Sequence, residues 1–356
     1  MTTTIDSLRE RVNQTAASGG RLVIRGGGSK SFYGRPEQGD PLEVGDWRGI
    51  VAYEPTELVV TARAGTPLRD LAAALAERGQ WLAFEPPRFG DGATVGGMLA
   101  AGLSGPRRQA VGAVRDFVLG VRVLNGLGEV LSFGGRVMKN VAGYDVPRLM
   151  AGSLGTLGVL LEVSLKVLPR PVAEKSLRFS VAEAAALRML NEWAGRPLPI
   201  SASAWHQGVL TLRLSGAAAA VAEAHRGLGG EALDDASAET FWEDLREQRH
   251  PFFAGDEPLW RLSLPSSAEP QQVLGPTLVE WGGAQRWLRG GDARTIRAAA
   301  VAAGGHATLF RADVASRAEV GVFQPLSEPL ARIHRRLKHA FDPHGVFNAG
   351  RMYPDF

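Results

Sequence analysis

Apolar residues recur at helical spacing across residues 7–18, with Leu8, Val12 and Ala16 on one side, and Gly19-Gly20 ends the pattern. Residues 21–25 then read as a strand that stops abruptly at Gly26-Gly27-Gly28, followed by Ser29 and Lys30. Residues 58–64 predict a second strand. After it, Thr66 reads as a helix N-cap and Pro67 as the first helical residue. Leu68, Leu71 and Leu75 give that helix an apolar face before Gly79 stops it. Residues 119–124 and 130–133 flank Asn125-Gly126, a hairpin signal with room for a connection longer than two residues, and residues 159–167 alternate apolar and polar positions as a half-buried strand does.

Pro169-Arg170-Pro171 marks a change of texture. Beyond it, residues 209–214 predict a strand, 217–228 a helix, 259–264 a strand, 278–288 a strand, 294–303 a helix and 306–310 a strand. That order, βαββαβ, is the ferredoxin-like pattern. The insert between the first helix and second strand carries a further helix at residues 241–249, and no internal repeat is visible in the sequence. From Pro329 a basic helix with Arg332, Arg335, Arg336 and Lys338 leads to the closing segment.

Composition narrows the class. A chain of 356 residues exceeds one ordinary hydrophobic core and predicts two domains. The net charge is only +3, from 40 basic and 37 acidic residues, which argues against a nucleic-acid footprint. No run of 18 apolar residues occurs, and the first residues lack the basic and apolar regions of a signal peptide. The expected location is therefore cytoplasmic, with any membrane association peripheral and made through partners. Cysteine is absent, which excludes a disulfide, a cysteine-linked flavin and thiolate ligands for an iron–sulfur cluster.

Three glycine clusters carry the candidate chemistry. Gly26-Gly27-Gly28-Ser29-Lys30 offers a turn whose successive N–H groups can form a concave nest for phosphate oxygens. It is neither a Walker loop, which needs a Gly-Lys pair, nor a Rossmann fingerprint, which needs glycine where Ser31 stands. The second cluster runs from Gly92 through Thr94-Val95-Gly96-Gly97 to Ser104-Gly105-Pro106, and the third is Gly152-Ser153-Leu154-Gly155-Thr156-Leu157-Gly158-Val159-Leu160. Three such loops suit an extended cofactor lying across two lobes.

These motifs, with Lys139-Asn140-Val141-Ala142-Gly143-Tyr144-Asp145, resemble the PCMH-type FAD domain of the vanillyl-alcohol-oxidase family, in the branch that acts on 2-hydroxy acids. Phe341-Asp342-Pro343-His344-Gly345-Val346-Phe347-Asn348-Ala349-Gly350-Arg351 resembles that branch's closing segment, with Ala349 where proline is usual. In detail the chain is similar to the FAD-binding subunits of glycolate oxidases. The resemblance implies an α+β fold. A two-lobed PCMH-type FAD-binding domain is expected over residues 1–172, with 329–356 packing back on it, and a ferredoxin-like cap over 173–328. It implies FAD contacts at Gly26, Gly27, Gly28, Ser29, Lys30, Thr94, Val95, Gly96, Gly97, Ser104, Gly105, Gly158 and Val159. It also implies a small 2-hydroxy acid as substrate, and a catalytic FAD subunit and an iron–sulfur subunit as partners.

All seven histidines lie at or after His206. Members of this fold that hold flavin covalently often do so through a histidine at the first glycine loop, where Ser29 and Lys30 stand here; dissociable FAD is expected. Oxidising a 2-hydroxy acid also needs a base and a cation for the carboxylate. His306 is the candidate base, and Arg286 and Arg311 the candidate carboxylate ligands, because arginine offers a planar fork. Catalytic relatives carry a Gly-His-x-Gly-Asp-Gly-Asn-x-His metal segment that this sequence lacks, and His334 and His339 are poorly spaced to share a helical face, so no metal site is expected. Three readings stay open: a relay subunit, a self-sufficient dehydrogenase and an FAD-bound scaffold.

Overall fold

The computed structural model describes residues 3–135, 144–271 and 275–355. Residues 139–143 of the Lys-Asn-x-x-Gly-Tyr-Asp run lie outside them. The chain divides into two compact units, one built from Met1–Leu103, Ala113–Pro169 and Pro325–Phe356, the other from Ser104–Gly112 and Arg170–Gln324.

In the first unit the opening helix spans Ile5–Ser18, started by a reciprocal cap between Thr4 and Ser7 and stopped at Gly19. Nine strands follow among the described residues: β1 (Leu22–Arg25), β2 (Asp40–Glu43), β3 (Ile50–Glu54), β4 (Val59–Arg63), β5 (Gln80–Trp81), β6 (Val118–Leu124), β7 (Val130–Gly134), β8 (Val159–Lys166) and β9 (Leu168–Pro169). β1 and β2 form a parallel pair, and Phe347 of the closing segment bridges to Leu22 beside it. A separate antiparallel sheet has the order β3-β4-β8-β6-β7. One core joins the two: Leu8 and Val12 from the opening helix, Leu22 and Leu42 from the pair, Leu124, Val159 and Leu161 from the large sheet, and Val346 and Phe347 from the tail. Burying these side chains removes each from water, roughly 1.5–3 kcal/mol apiece.

One local expectation needs correction. The helix after β4 begins at Leu68, with Pro67 as its cap residue. Thr66 is occupied elsewhere, its hydroxyl accepting from the Gly49 amide (2.9 Å) and donating to the Gly49 carbonyl (3.1 Å). The Asn125-Gly126 connection is longer than two residues, because the Asn125 carboxamide oxygen accepts from the amides of Leu127 and Glu129 and closes a wider turn.

The second unit holds β10 (Ala173–Ser180), β11 (Ile200–His206), β12 (Val209–Gly216), β13 (Glu231–Ala232), β14 (Leu259–Ser263), β15 (Thr277–Glu280), β16 (Gln285–Arg289) and β17 (His306–Arg311). They form one sheet in the order β13-β10-β12-β11-β15-β16-β14-β17. The ferredoxin-like pattern therefore occurs twice. β10, helix Glu183–Ala194, β11, β12, helix Ala218–Leu228 and β13 make one complete βαββαβ unit, while β14 to β17 with helix Ala293–Ala302 make a second four-strand set. The sequence pattern had merged pieces of both. The predicted strand over residues 278–288 is two strands, split where Trp281, Gly282 and Gly283 all take positive φ (53°, 66° and 102°). Each half has its own core, around Leu177, Leu190, Leu212 and Trp193 in one, and Trp260, Leu262, Leu288 and Leu309 in the other.

Candidate functional site

A cleft in the first unit is lined by residues 24–31 with Tyr33, Glu37, Thr94, Gly97, Ala100, Leu154, Asn348 and Arg351. It runs into an apolar end formed by Val44, Ala64, Gly96, Gly155, Gly158 and Leu160. β1 delivers the chain to its polar end. There Gly28 takes φ +70°, a conformation that favours glycine, and turns the chain back so that the Ser31 amide donates to the Gly28 carbonyl. The first and second glycine loops lie backbone against backbone: a Cβ on Gly27 would overlap the Gly92 carbonyl, and one on Gly26 would sit 2.5 Å from Thr94 Oγ1. Thr94 Oγ1 also accepts from the Gly97 amide at 3.2 Å and caps helix Val95–Ala101.

The fit to an anionic cofactor rests on donors. Among the described residues, the backbone N–H groups of Gly27, Gly28 and Ser29 meet no protein acceptor, yet all three residues line the cleft. Three successive donors of this kind suit the oxygens of a pyrophosphate. Lys30 is committed partly to the protein, with Nζ donating to the Arg88 carbonyl (3.2 Å) and lying 5.6 Å from the Phe89 ring centre. The apolar end, with no titratable side chain in its lining, suits a flat ring system. FAD combines those two chemistries, so the residues present fit it.

The closing segment builds this cleft, a role the sequence motif did not reveal. Asn348 Nδ2 donates to the Leu154 carbonyl (2.6 Å), and its Oδ1 accepts from the Ile24 amide (2.8 Å), pinning β1 to the third glycine loop. Arg351 spans the first loop, donating to the carbonyls of Ser31 (2.8 Å), Tyr33 (2.7 Å) and Arg35. Behind them the buried Lys338 Nζ donates to Asp342 Oδ2 (2.7 Å), the Thr156 carbonyl (2.8 Å) and the Phe347 carbonyl (2.7 Å). Burial pulls this ammonium below its usual pKa, against the opposing pull of Asp342.

The other sequence candidates are distributed as follows. Gly26, Gly27, Gly28, Ser29, Lys30, Thr94, Gly96, Gly97 and Gly158 line the cleft or its apolar end. Val95 and Val159 are fully buried beneath it. Ser104 and Gly105 belong to the second unit, where the Gly105 carbonyl accepts from Trp281 Nε1 at 3.1 Å. His306, Arg286 and Arg311 are not brought together. His306 pairs with Ser263 at one end of β14 and Arg311 with Leu259 at the other, so they stand about 16 Å apart along the strand. Arg286 is fully buried, and its guanidinium is spent on the carbonyls of Glu269 (2.7 Å), Ala268 and Gly283 (3.3 Å). A substrate carboxylate would have to displace these bonds. Nearby in the chain, Arg107 pairs with Glu174, and Arg108 stacks over the Trp281 ring at 4.3 Å.

Residues 1–134 match the FAD binding domain family model. The glycolate oxidase subunit GlcE of Escherichia coli (strain K12) is 51% identical over 350 residues, which cover 98% of this chain and 97% of that protein. The chain belongs to the glycolate oxidase E-subunit family. It is an FAD-binding member of an oxidoreductase family, with the PCMH-type fold. Other relatives match in part: the glycolate oxidase subunit GlcD of Bacillus subtilis (strain 168) is 32% identical over 44% of this chain and 33% of its own length. A D-lactate dehydrogenase of Anaerostipes hadrus is 38% identical over 36% of this chain and 26% of its own. The solved structure of an alkyldihydroxyacetonephosphate synthase shares the fold at 14% identity, with a TM-score of 0.66 over 96% of this chain and 74% of that one. No described helix is long and apolar enough to cross a membrane.

Proposed function

We propose that this chain is the FAD-binding electron-relay subunit of a complex that oxidises glycolate, and D-lactate as a second small 2-hydroxy acid. In this reading it works beside a catalytic FAD subunit and an iron–sulfur subunit, in the cytoplasm or peripherally at the inner membrane. One observation carries the reading. The cleft offers a row of uncommitted backbone donors and an apolar end, but its described lining has no histidine, and its one carboxylate, Glu37, is ion-paired with Arg25 at 2.9 Å. Such a lining binds and orients a cofactor without supplying a proton acceptor for a substrate hydroxyl.

Bound there, the flavin supplies reversible two-electron chemistry. The chain's own residues do the rest. Gly27, Gly28 and Ser29 hold the pyrophosphate through their amides. Thr94 and Gly97 set the distance between the first two loops. Asn348 and Arg351 keep the first loop in its binding shape, and the apolar lining excludes water. FAD is held without a covalent bond, because no histidine or cysteine stands on the described lining. Acid precipitation should release all of it.

The test is an anaerobic titration of the FAD-loaded chain with glycolate and with D-lactate, alone and then with its sister subunits. The reading expects no bleaching of the visible flavin band by substrate alone, full bleaching by dithionite, and bleaching by substrate in the complex. Substrate bleaching of the isolated chain would instead assign it a substrate site of its own. Failure to bleach within an active complex would leave the flavin structural.

A further inference from the structure

The helix that precedes the closing segment, Glu328–Phe341, has a face that nothing described in its unit covers. Leu330 and Ile333 are 49% and 52% exposed. Beside them opens a second cavity of about 190 Å³, lined chiefly by Leu149, Leu157, His334, Leu337 and Met352. That volume admits one benzene-sized apolar guest. The unpaired charges on this helix are of one sign among the described residues. Arg332 and Arg336 are exposed and make no ion pair among the described residues, while the carboxylates of Glu328 and Asp355 are both taken by Arg335 (2.7 Å and 2.9 Å).

We propose that this face docks a sister subunit of the same oxidase, through an apolar side chain that enters the cavity and carboxylates that meet Arg332 and Arg336. The inference rests on the subunit reading above and names the surface that serves it. Three considerations favour this occupant. A second copy of the chain in a two-fold contact would present the same face, with Arg332 and Arg336 and with Glu328 and Asp355 already taken by Arg335, and like charges across an interface are costly. A lipid surface needs a broad apolar face, whereas this one pairs two exposed aliphatic residues with a concave cavity. The helix is also preformed, anchored by the three bonds of Lys338, so docking orders little.

The position has a consequence for electron flow. Residues 152–158 form one turn with two lined sides: Leu154, Gly155 and Gly158 line the FAD cleft, while Gly152, Ser153, Thr156 and Leu157 line the second cavity. A subunit seated in that cavity is separated from the cleft by a single turn of backbone.

The experiment co-expresses the full chain with its flavin-type and iron–sulfur sister subunits, purifies through a tag on a sister, and measures both recovered chain and FAD per chain. Ile333→Glu is expected to lower recovery at least tenfold with FAD per chain unchanged. Arg332→Glu/Arg336→Glu is expected to lower recovery and flatten its dependence on salt. Val172→Glu, at a residue 86% exposed in the second unit, should leave both readouts alone. Wild-type recovery by both test variants overturns the docking face and leaves the subunit reading intact. A wild-type chain that never co-purifies with its sisters overturns the subunit reading as well. An Ile333-dependent homodimer, or Ile333-dependent sedimentation with phosphatidylglycerol vesicles, would give the face to a different occupant and refute the proposal.

Discussion

Replacing Lys338 with methionine should loosen the FAD cleft from behind. The ammonium makes three bonds of 2.7–2.8 Å to three separate pieces of chain: Asp342, the turn at Thr156 and the tail at Phe347. Methionine keeps the aliphatic stem but leaves Asp342, itself 2% exposed, as an unpaired buried charge. Removing one partner of a buried ion pair costs roughly 3–5 kcal/mol. Asp342 still accepts from the amides of Val346 (2.9 Å) and Phe347 (2.8 Å), so the low end, about 3 kcal/mol, is expected. That corresponds to roughly a 150-fold change in the opening equilibrium of the first unit. The assay is FAD retention against urea, with the midpoint falling by about 1–2 M at ordinary urea sensitivity. Six of the eight tryptophans lie in the second unit, so their fluorescence serves as an internal control that should not move. Adding Asp342→Asn removes the stranded charge and should recover part of the loss. An unchanged midpoint, or a double variant as weak as Lys338→Met alone, would refute the electrostatic argument.

Gly27→Ala should separate the first two loops, because its Cβ meets the Gly92 carbonyl; purified protein is expected to contain little FAD by absorbance ratio. At Gly97 an added Cβ meets only Thr94 Oγ1, at 3.1 Å, so Gly97→Ala should leave urea stability within about 1 kcal/mol of wild type while weakening FAD binding in a fluorescence titration. Asn348→Ala loses both clamping bonds and places a less tolerant residue at φ +42°; a loss of about 2 kcal/mol is expected, read from the midpoint of FAD release. In the second unit, the rings of His206 and His250 lie 5.3 Å apart, and burial lowers both pKa values, with each other's charge adding to the effect at His250. Their folded-state pKa lies below the unfolded value of about 6.5, so stability is full above that pH and falls as the unfolded chain takes up protons below it. Tryptophan-monitored urea curves from pH 7 to 5 should show that decline, and His206→Phe/His250→Phe should flatten it.

The first unit was legible where local pattern decides the structure. The apolar run ending at three glycines became β1 and its turn, and alternation over residues 159–167 became β8. Thr66 shows the limit: its sequence neighbours suit an N-cap, but Gly49, in the loop before β3, takes the hydroxyl. Asn348, Arg351 and Lys338 act across 182 to 324 positions of chain, in bonds no short window contains. The doubled ferredoxin-like pattern was hidden for a different reason. β11 buries Ser201 and Ser203, whose hydroxyls bond to Arg213 and Gln109, so its inward face does not read as apolar. The catalytic candidates are not brought together, for reasons a linear pattern does not carry. A histidine and an arginine on the same strand, five residues apart, cannot converge, and an arginine on an inner strand was already enclosed by carbonyls.

The excursion of Ser104–Gly112 into the second unit bears on how the protein is made. Those nine residues leave the ribosome early, carrying Gln109 and Arg107, but their partners Ser203 and Glu174 follow later, and the unit is complete only at Gln324. At a synthesis rate of about 5–20 residues per second, the wait is on the order of 10–40 seconds. The first unit waits longer still, since Lys338, Asn348 and Arg351 are translated after the second unit is complete. Until Gln324 has been made, neither unit can finish folding. For this chain the nascent state is a prolonged one, and a ribosome-associated chaperone or an early-arriving flavin would act on two open units at once.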